Sequence, residues 1–208
     1  MKIQKNILLI AVFAVSAFFI GNLFISSQVN SKKQIVSQNK SIPAPTIIDD
    51  PLYPKFQLLS TAGNSSCSQD YRSSISAMPD ELKLQGSCCS PMVFHRYKEQ
   101  VEGLKKYSSI SQVPSDPYDI AASLAKELLA YDANITLTAD EQKEYEKAMQ
   151  TSEEKGPCCC KCWRWYVYEG LGKFLIRNHK FTGDQIANIW NLSDGCGGDL
   201  HLPGAHTS

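Results

Sequence analysis

The sequence predicts an all-α protein: an N-terminal transmembrane helix, a tether, and then a compact bundle of short helices with cysteine clusters at helix N-termini. Three observations carry that expectation. Helix-start signals recur along the second half of the chain, apolar residues follow them at helical spacing, and no stretch sustains the period-two alternation of strands. A continuous apolar run opens the chain and stands apart from the rest.

That run, residues 7–25, is 19 residues long, enough for a helix to cross a hydrocarbon core of about 30 Å. A cleavable signal sequence has a shorter apolar region and small residues at its cleavage site. Ile25-Ser26-Ser27 matches that pattern poorly, so residues 1–26 read as an uncleaved signal-anchor. Lys2 and Lys5 precede the run while Lys32 and Lys33 follow it, so local charge does not set the orientation. A short basic tail retained inside puts the C-terminal domain outside the cytoplasm, at a cell surface or in a periplasm. Residues 27–53 are rich in Ser, Gln, Asn and Pro and read as a flexible tether. Residues 54–208 are then the cysteine-rich helical domain.

Within that domain, Ser90-Pro91 followed by Met92, Val93, Tyr97, Val101 and Leu104 predicts a helix over 91–107. Asp116-Pro117 gives the same start signal before Ile120, Leu124, Leu128 and Leu129, for a helix over 117–131. Thr138 with Glu141 forms a capping box that opens a helix over 139–152. Trp163 to Arg177 is aromatic and aliphatic almost throughout, a largely buried helix with Gly170 and Gly172 as its weak points. Thr182 with Gln185 opens a last short helix through Ile186, Ile189 and Trp190, ended by Asp194-Gly195. Glu102-Gly-Leu-Lys-Lys-Tyr107 and Glu169-Gly-Leu-Gly-Lys-Phe174 share four identities, which suggests a duplicated unit of cysteine cluster, helix and helix; chance recurrence in helical sequence is the plainer alternative.

Composition narrows the function classes. With 21 Lys+Arg against 21 Asp+Glu, the chain has no excess of positive charge to neutralise a phosphate backbone, and nucleic acid is not an expected partner. No Ser/His/Asp arrangement, phosphate-binding glycine loop or paired-carboxylate signature supports a hydrolase or kinase. The informative residues are the 8 cysteines, all after residue 60, with six of them in two tight clusters.

The denser cluster is Pro157-Cys158-Cys159-Cys160-Lys161-Cys162, directly before a predicted helix. Sulfur ligands close in sequence converge on one soft ion with little loop-closure cost. A helix N-terminus favours the thiolate form. Cys88-Cys89 forms the second cluster ahead of its own predicted helix, with Met92 and His95 one turn apart. Cys, Met and His together suit copper or zinc, although Met92 also fits an ordinary core position and His95 a helix surface. Side-by-side packing of the two helices would bring six cysteines to one end of the domain. Cys196 is either a distant ligand or a disulfide partner of Cys67. His201 and His206 follow in a tail containing Gly and Pro. The rings of Trp163, Trp165, Tyr166, Tyr168 and Phe174 read as buried, two or more of them beside the sulfurs.

The six-residue run resembles the P-C-Y-C-G-C motif of small, exported, membrane-associated bacterial proteins, matching it at four positions. Cys159 stands where that motif has tyrosine and Lys161 where it has glycine. The resemblance implies an exported protein that handles metal. Three functions follow from the cysteines: a membrane-tethered protein that binds or relays a soft metal ion, copper before zinc; a thiol-disulfide redox protein using Cys159 and Cys162; and an interaction domain stapled by disulfides. The first is the leading expectation, with Cys158, Cys159, Cys160, Cys162, Cys88, Cys89, His95 and Met92 as its candidate ligands; the redox reading is the one that would make the chain an enzyme, and the sequence leaves that open.

Overall fold

The structure is a computed structural model that describes residues 47–198, residues 64 and 69 excepted. The apolar run at 7–25, the tether up to residue 46 and the tail with His201 and His206 lie outside the described residues. No described helix is long and apolar enough to cross a membrane.

Seven helices and one small sheet make up the described chain. After a 3-10 turn at Ile47–Asp49, α1 covers Tyr53–Thr61, with proline in its first turn, and α2 covers Tyr71–Ala77. Strand β1 is Lys83–Gln85, helix α3 is Phe94–Leu104, and strand β2 is Asp119–Ala121. Helices α4 (Ala122–Asn134), α5 (Ala139–Thr151), α6 (Trp163–His179) and α7 (Gly183–Ser193) complete the order. The fold is mostly helical, as the periodicity predicts, and the antiparallel pair β1–β2 is an addition to it. Its register sets Leu84 opposite Ile120, and both side chains are buried. Strands of three residues are too short to show a period.

The capping box of α5 forms as expected: Glu141 N–H donates to the Thr138 hydroxyl and the Glu141 carboxylate accepts from Thr138 N–H. At α7 the Gln185 side chain accepts from Thr182 N–H at 2.9 Å, and Asp194 ends the helix. Two starts differ from expectation. Helix α3 begins at Phe94 with Val93 as its N-cap, so Ser90-Pro91 stays in the preceding loop. Helix α4 begins at Ala122, because Asp116 is committed elsewhere. Its buried carboxylate accepts from Tyr97 Oη and from its own neighbour Tyr118 N–H, and it pairs with Lys55 of α1 at 2.8 Å.

Helix α6 is the axis of the core. Its Trp163, Val167, Tyr168, Leu171 and Leu175 are all fully buried, and it packs chiefly on α4, while α5 packs on α7. Gly170 is the contact point of the α4 crossing, since a Cβ there would lie 1.9 Å from the Leu128 carbonyl oxygen. A residue that weakens an isolated helix thereby lets two backbones approach. A second, smaller apolar cluster joins Leu59, Met92, Tyr97, Val101 and Tyr118 where α1 meets α3.

Candidate metal centre

Four separate stretches of chain deliver sulfur: Cys67 between α1 and α2, Cys88-Cys89 after β1, the Cys158 to Cys162 run between α5 and α6, and Cys196 after α7. Backbone hydrogen bonds bring the second and fourth stretches together. Cys88 N–H donates to Gly195 O at 3.1 Å, Ser90 N–H to Cys196 O at 2.7 Å, and Gly198 N–H to Pro91 O at 2.8 Å. Buried Gln100 of α3 ties down the same turn by donating to Asp194 O at 2.6 Å. At the end of α5, the Ser152 hydroxyl accepts from Gly156 N–H at 2.8 Å. That bond turns the chain into the cysteine run, and Cys162 becomes the N-cap of α6.

The sulfurs therefore meet. Cys67 Sγ lies 2.9 Å from Cys160 Sγ and 3.5 Å from Cys89 Sγ, and Cys88 and Cys89 are 3.7 Å apart. Cys196 Sγ lies 3.2 Å from Cys158 and 3.0 Å from Cys159. Five sets of three ligand atoms lie within 4.8 Å of one another: Cys67/Cys88/Cys162, Cys67/Cys89/Cys160, Cys88/Cys89/Cys196, Cys158/Cys159/Cys160, and Cys158/Cys196 with the Asp194 carboxylate. Every cysteine belongs to at least one set, and six of the eight belong to two. Sulfurs bound at about 2.3 Å around a tetrahedral zinc are about 3.8 Å apart; Cys89 stands near that distance from Cys67 and Cys88, while Cys67–Cys160, Cys158–Cys196 and Cys159–Cys196 are closer and would open to share an ion.

Burial grades the cluster. Cys158, Cys162 and Cys196 are buried in the same core as Trp163 and Tyr168, whereas Cys67, Cys89 and Cys159 are exposed. Aromatic rings thus flank the inner sulfurs and leave an open rim. Partial desolvation by its neighbours, with the hydrogen bond to Cys160, pushes the Cys67 thiol up to about 11. Hydrogen bonding from Cys158 is the main cause that lowers Cys88, Cys159 and Cys160, with Cys159 falling to about 2 and Cys160 to about 6. Cys158 is itself pushed up, first by its hydrogen bond to Cys159. Thiols this close together titrate as a coupled set. A metal ion bound there would displace the protons that remain.

The structure brings together Cys88, Cys89, Cys158, Cys159, Cys160 and Cys162, as the sequence leads one to expect, but by another route. Helix α3 packs on α7 and α6 on α4, so the clusters meet through the loops rather than through side-by-side α3 and α6. Cys67 and Cys196 join as well, each beside a different partner, and Cys159 meets Cys196. His95 is exposed on α3 and shares in none of the sets. Met92 packs in the small apolar cluster with Leu59 and Tyr97. Sequence spacing gave no sign of the Asp194 carboxylate, which is 4 % exposed and is raised to about 6 by burial. No protein-family model, curated protein or solved structure matches the chain.

Proposed function

We propose that this is a membrane-tethered, extracytoplasmic protein that binds or relays a soft metal ion, copper as Cu(I), in a cluster of shared thiolates. The observation that carries the reading is the convergence of all eight sulfurs from four stretches of chain. An all-thiolate set selects soft ions. Each set offers three ligands rather than four, the number suited to trigonal Cu(I), whereas an isolated structural zinc takes four. Sulfurs common to two sets would bridge neighbouring ions, so several ions are expected per chain. The tether and outward orientation rest on the apolar run at 7–25 and on the resemblance of Pro157 to Cys162 to an exported motif.

Anaerobic titration of the reduced, full-length chain with Cu(I) against a competing chelator tests the proposal. More than one tightly held ion per chain, with zinc displaced by copper, is the expected result. A chain that yields all its Cu(I) to a weak chelator would refute it. Disulfide stapling is the second reading, favoured by the close approach of Cys67 to Cys160 across the sequence. It requires blocked cysteines in the protein isolated under anaerobic conditions. The redox pair Cys159/Cys162 draws less support, because Cys159 meets Cys196 and Cys162 is buried.

A further inference from the structure

Arg164 sits in the first turn of α6, two residues past Cys162, and is fully buried. An arginine keeps its charge in any protein environment, and a buried charge is costly unless an opposite charge faces it. Yet Arg164 forms no salt bridge to a carboxylate among the described residues. Its hydrogen bonds go to neutral oxygens: Gly86 O at 2.8 Å, Ser65 Oγ at 3.1 Å, and Pro117 O. Its Nε has no hydrogen-bond partner among the described residues.

The same guanidinium touches every stretch that supplies sulfur. Ser65 is two residues before Cys67, Gly86 two before Cys88, and Arg164 two after Cys162. Against its fourth side lies Gly195, next to Cys196; a Cβ there would lie 2.3 Å from Nη1 and 2.4 Å from Cζ. We infer that Arg164 is a positioning residue and the built-in counter-ion of the thiolate cluster, holding the four stretches in register and offsetting the negative charge of the loaded site. The inference rests on the metal-thiolate reading above. Eight thiolates that share fewer than eight monovalent ions leave a net negative charge, and the guanidinium is the fixed cation beneath it.

The test uses the full-length chain, Cu(I) and a competing chelator, on Arg164→Gln, Arg164→Lys and the core variant Leu171→Ala. Leu171 is fully buried on the same helix and belongs to no ligand set. Arg164→Gln is expected to weaken Cu(I) binding by about 10–100-fold, the usual range for a partner that orients metal ligands. Arg164→Lys, which restores the charge without the fork, should recover part of that loss. Leu171→Ala should lower the melting temperature and leave affinity near wild type. Equal losses in the Lys and Gln variants, or an equal loss in Leu171→Ala, would overturn the inference and reduce Arg164 to a packing residue. Where Arg164→Gln does not fold, Gly195→Ala replaces it: the added methyl displaces the guanidinium, and unchanged affinity there overturns the inference as well. Failure of the wild-type chain to hold Cu(I) would instead reject the metal reading itself.

Discussion

Exposure and proton affinity do not run together among the sulfurs, and that separates residues a reagent would otherwise treat alike. Cys159 and Cys67 are both exposed, but Cys159 is lowered to about 2 by hydrogen bonding from Cys158 while partial desolvation and the hydrogen bond to Cys160 raise Cys67 to about 11. Thiolate is the reactive form, so a maleimide at neutral pH should modify Cys159 before Cys67 in the metal-free chain, as peptide mapping would reveal; the reverse order would contradict the assigned protonation. Sharing separates them too. Cys158 and Cys160 each belong to two ligand sets and Cys159 to one, so Cys158→Ser or Cys160→Ser should lower Cu(I) capacity more than Cys159→Ser, and the Cys160/Cys162 double variant should lose most of it. The thiols of this site were legible as residue types at close spacing. Arg164 was not, because it reads as one charged position in an apolar helix and only the fold shows that no carboxylate among the described residues answers it.

Helix α5 illustrates which elements the chain announces locally. Thr138 and Glu141 cap each other, and Glu141 also binds Arg177 of α6 through both carboxylate oxygens. Thr138→Ala should cost about 1 kcal/mol, the usual loss of an N-cap, measurable by urea unfolding. The Arg177 hydrogen bond holds the Glu141 carboxyl down at about 2 from an ordinary 4.5. A carboxyl lowered on folding stabilises above its unfolded value and loses that contribution as pH falls through the folded one. The difference in melting temperature between wild type and Glu141→Gln should therefore be full above about pH 5 and shrink between about pH 4.5 and 2; a difference independent of pH would rule this out. Helices α5, α6 and α7 start where local signals say. Helix α3 does not, because Ser90 and Pro91 pair with the turn at Cys196 and Gly198, and α4 does not, because Asp116 is drawn into contact with Tyr97 and Lys55 and residues 119–121 pair with β1. Helices α1 and α2 have weak local signals and were not expected from the sequence.

Across the whole molecule, the cluster ties loops that the helices alone leave separate. Anything that binds only the folded chain stabilises it by mass action, about 4 kcal/mol at a thousandfold excess over Kd. Loading with Cu(I) should accordingly raise the melting temperature and a strong Cu(I) chelator should reverse the gain; scanning calorimetry on the full-length chain would measure both, and an unchanged transition would mean that the cluster does not link the four stretches. Core packing was legible from apolar spacing, but the meeting of the loops depends on backbone pairing between Ser90 and Cys196 and between Gly198 and Pro91, for which no local pattern exists. That pairing also carries a schedule. A chain emerging from its N-terminal side presents Cys67, Cys88 and Cys89 long before Cys196, and the turn that gathers them does not exist until Cys196 and Gly198 arrive. Until then the early cysteines are bare thiols, open to capture by any oxidant or ion they meet, and on the proposed reading correct loading would be a race between completing the chain and those encounters.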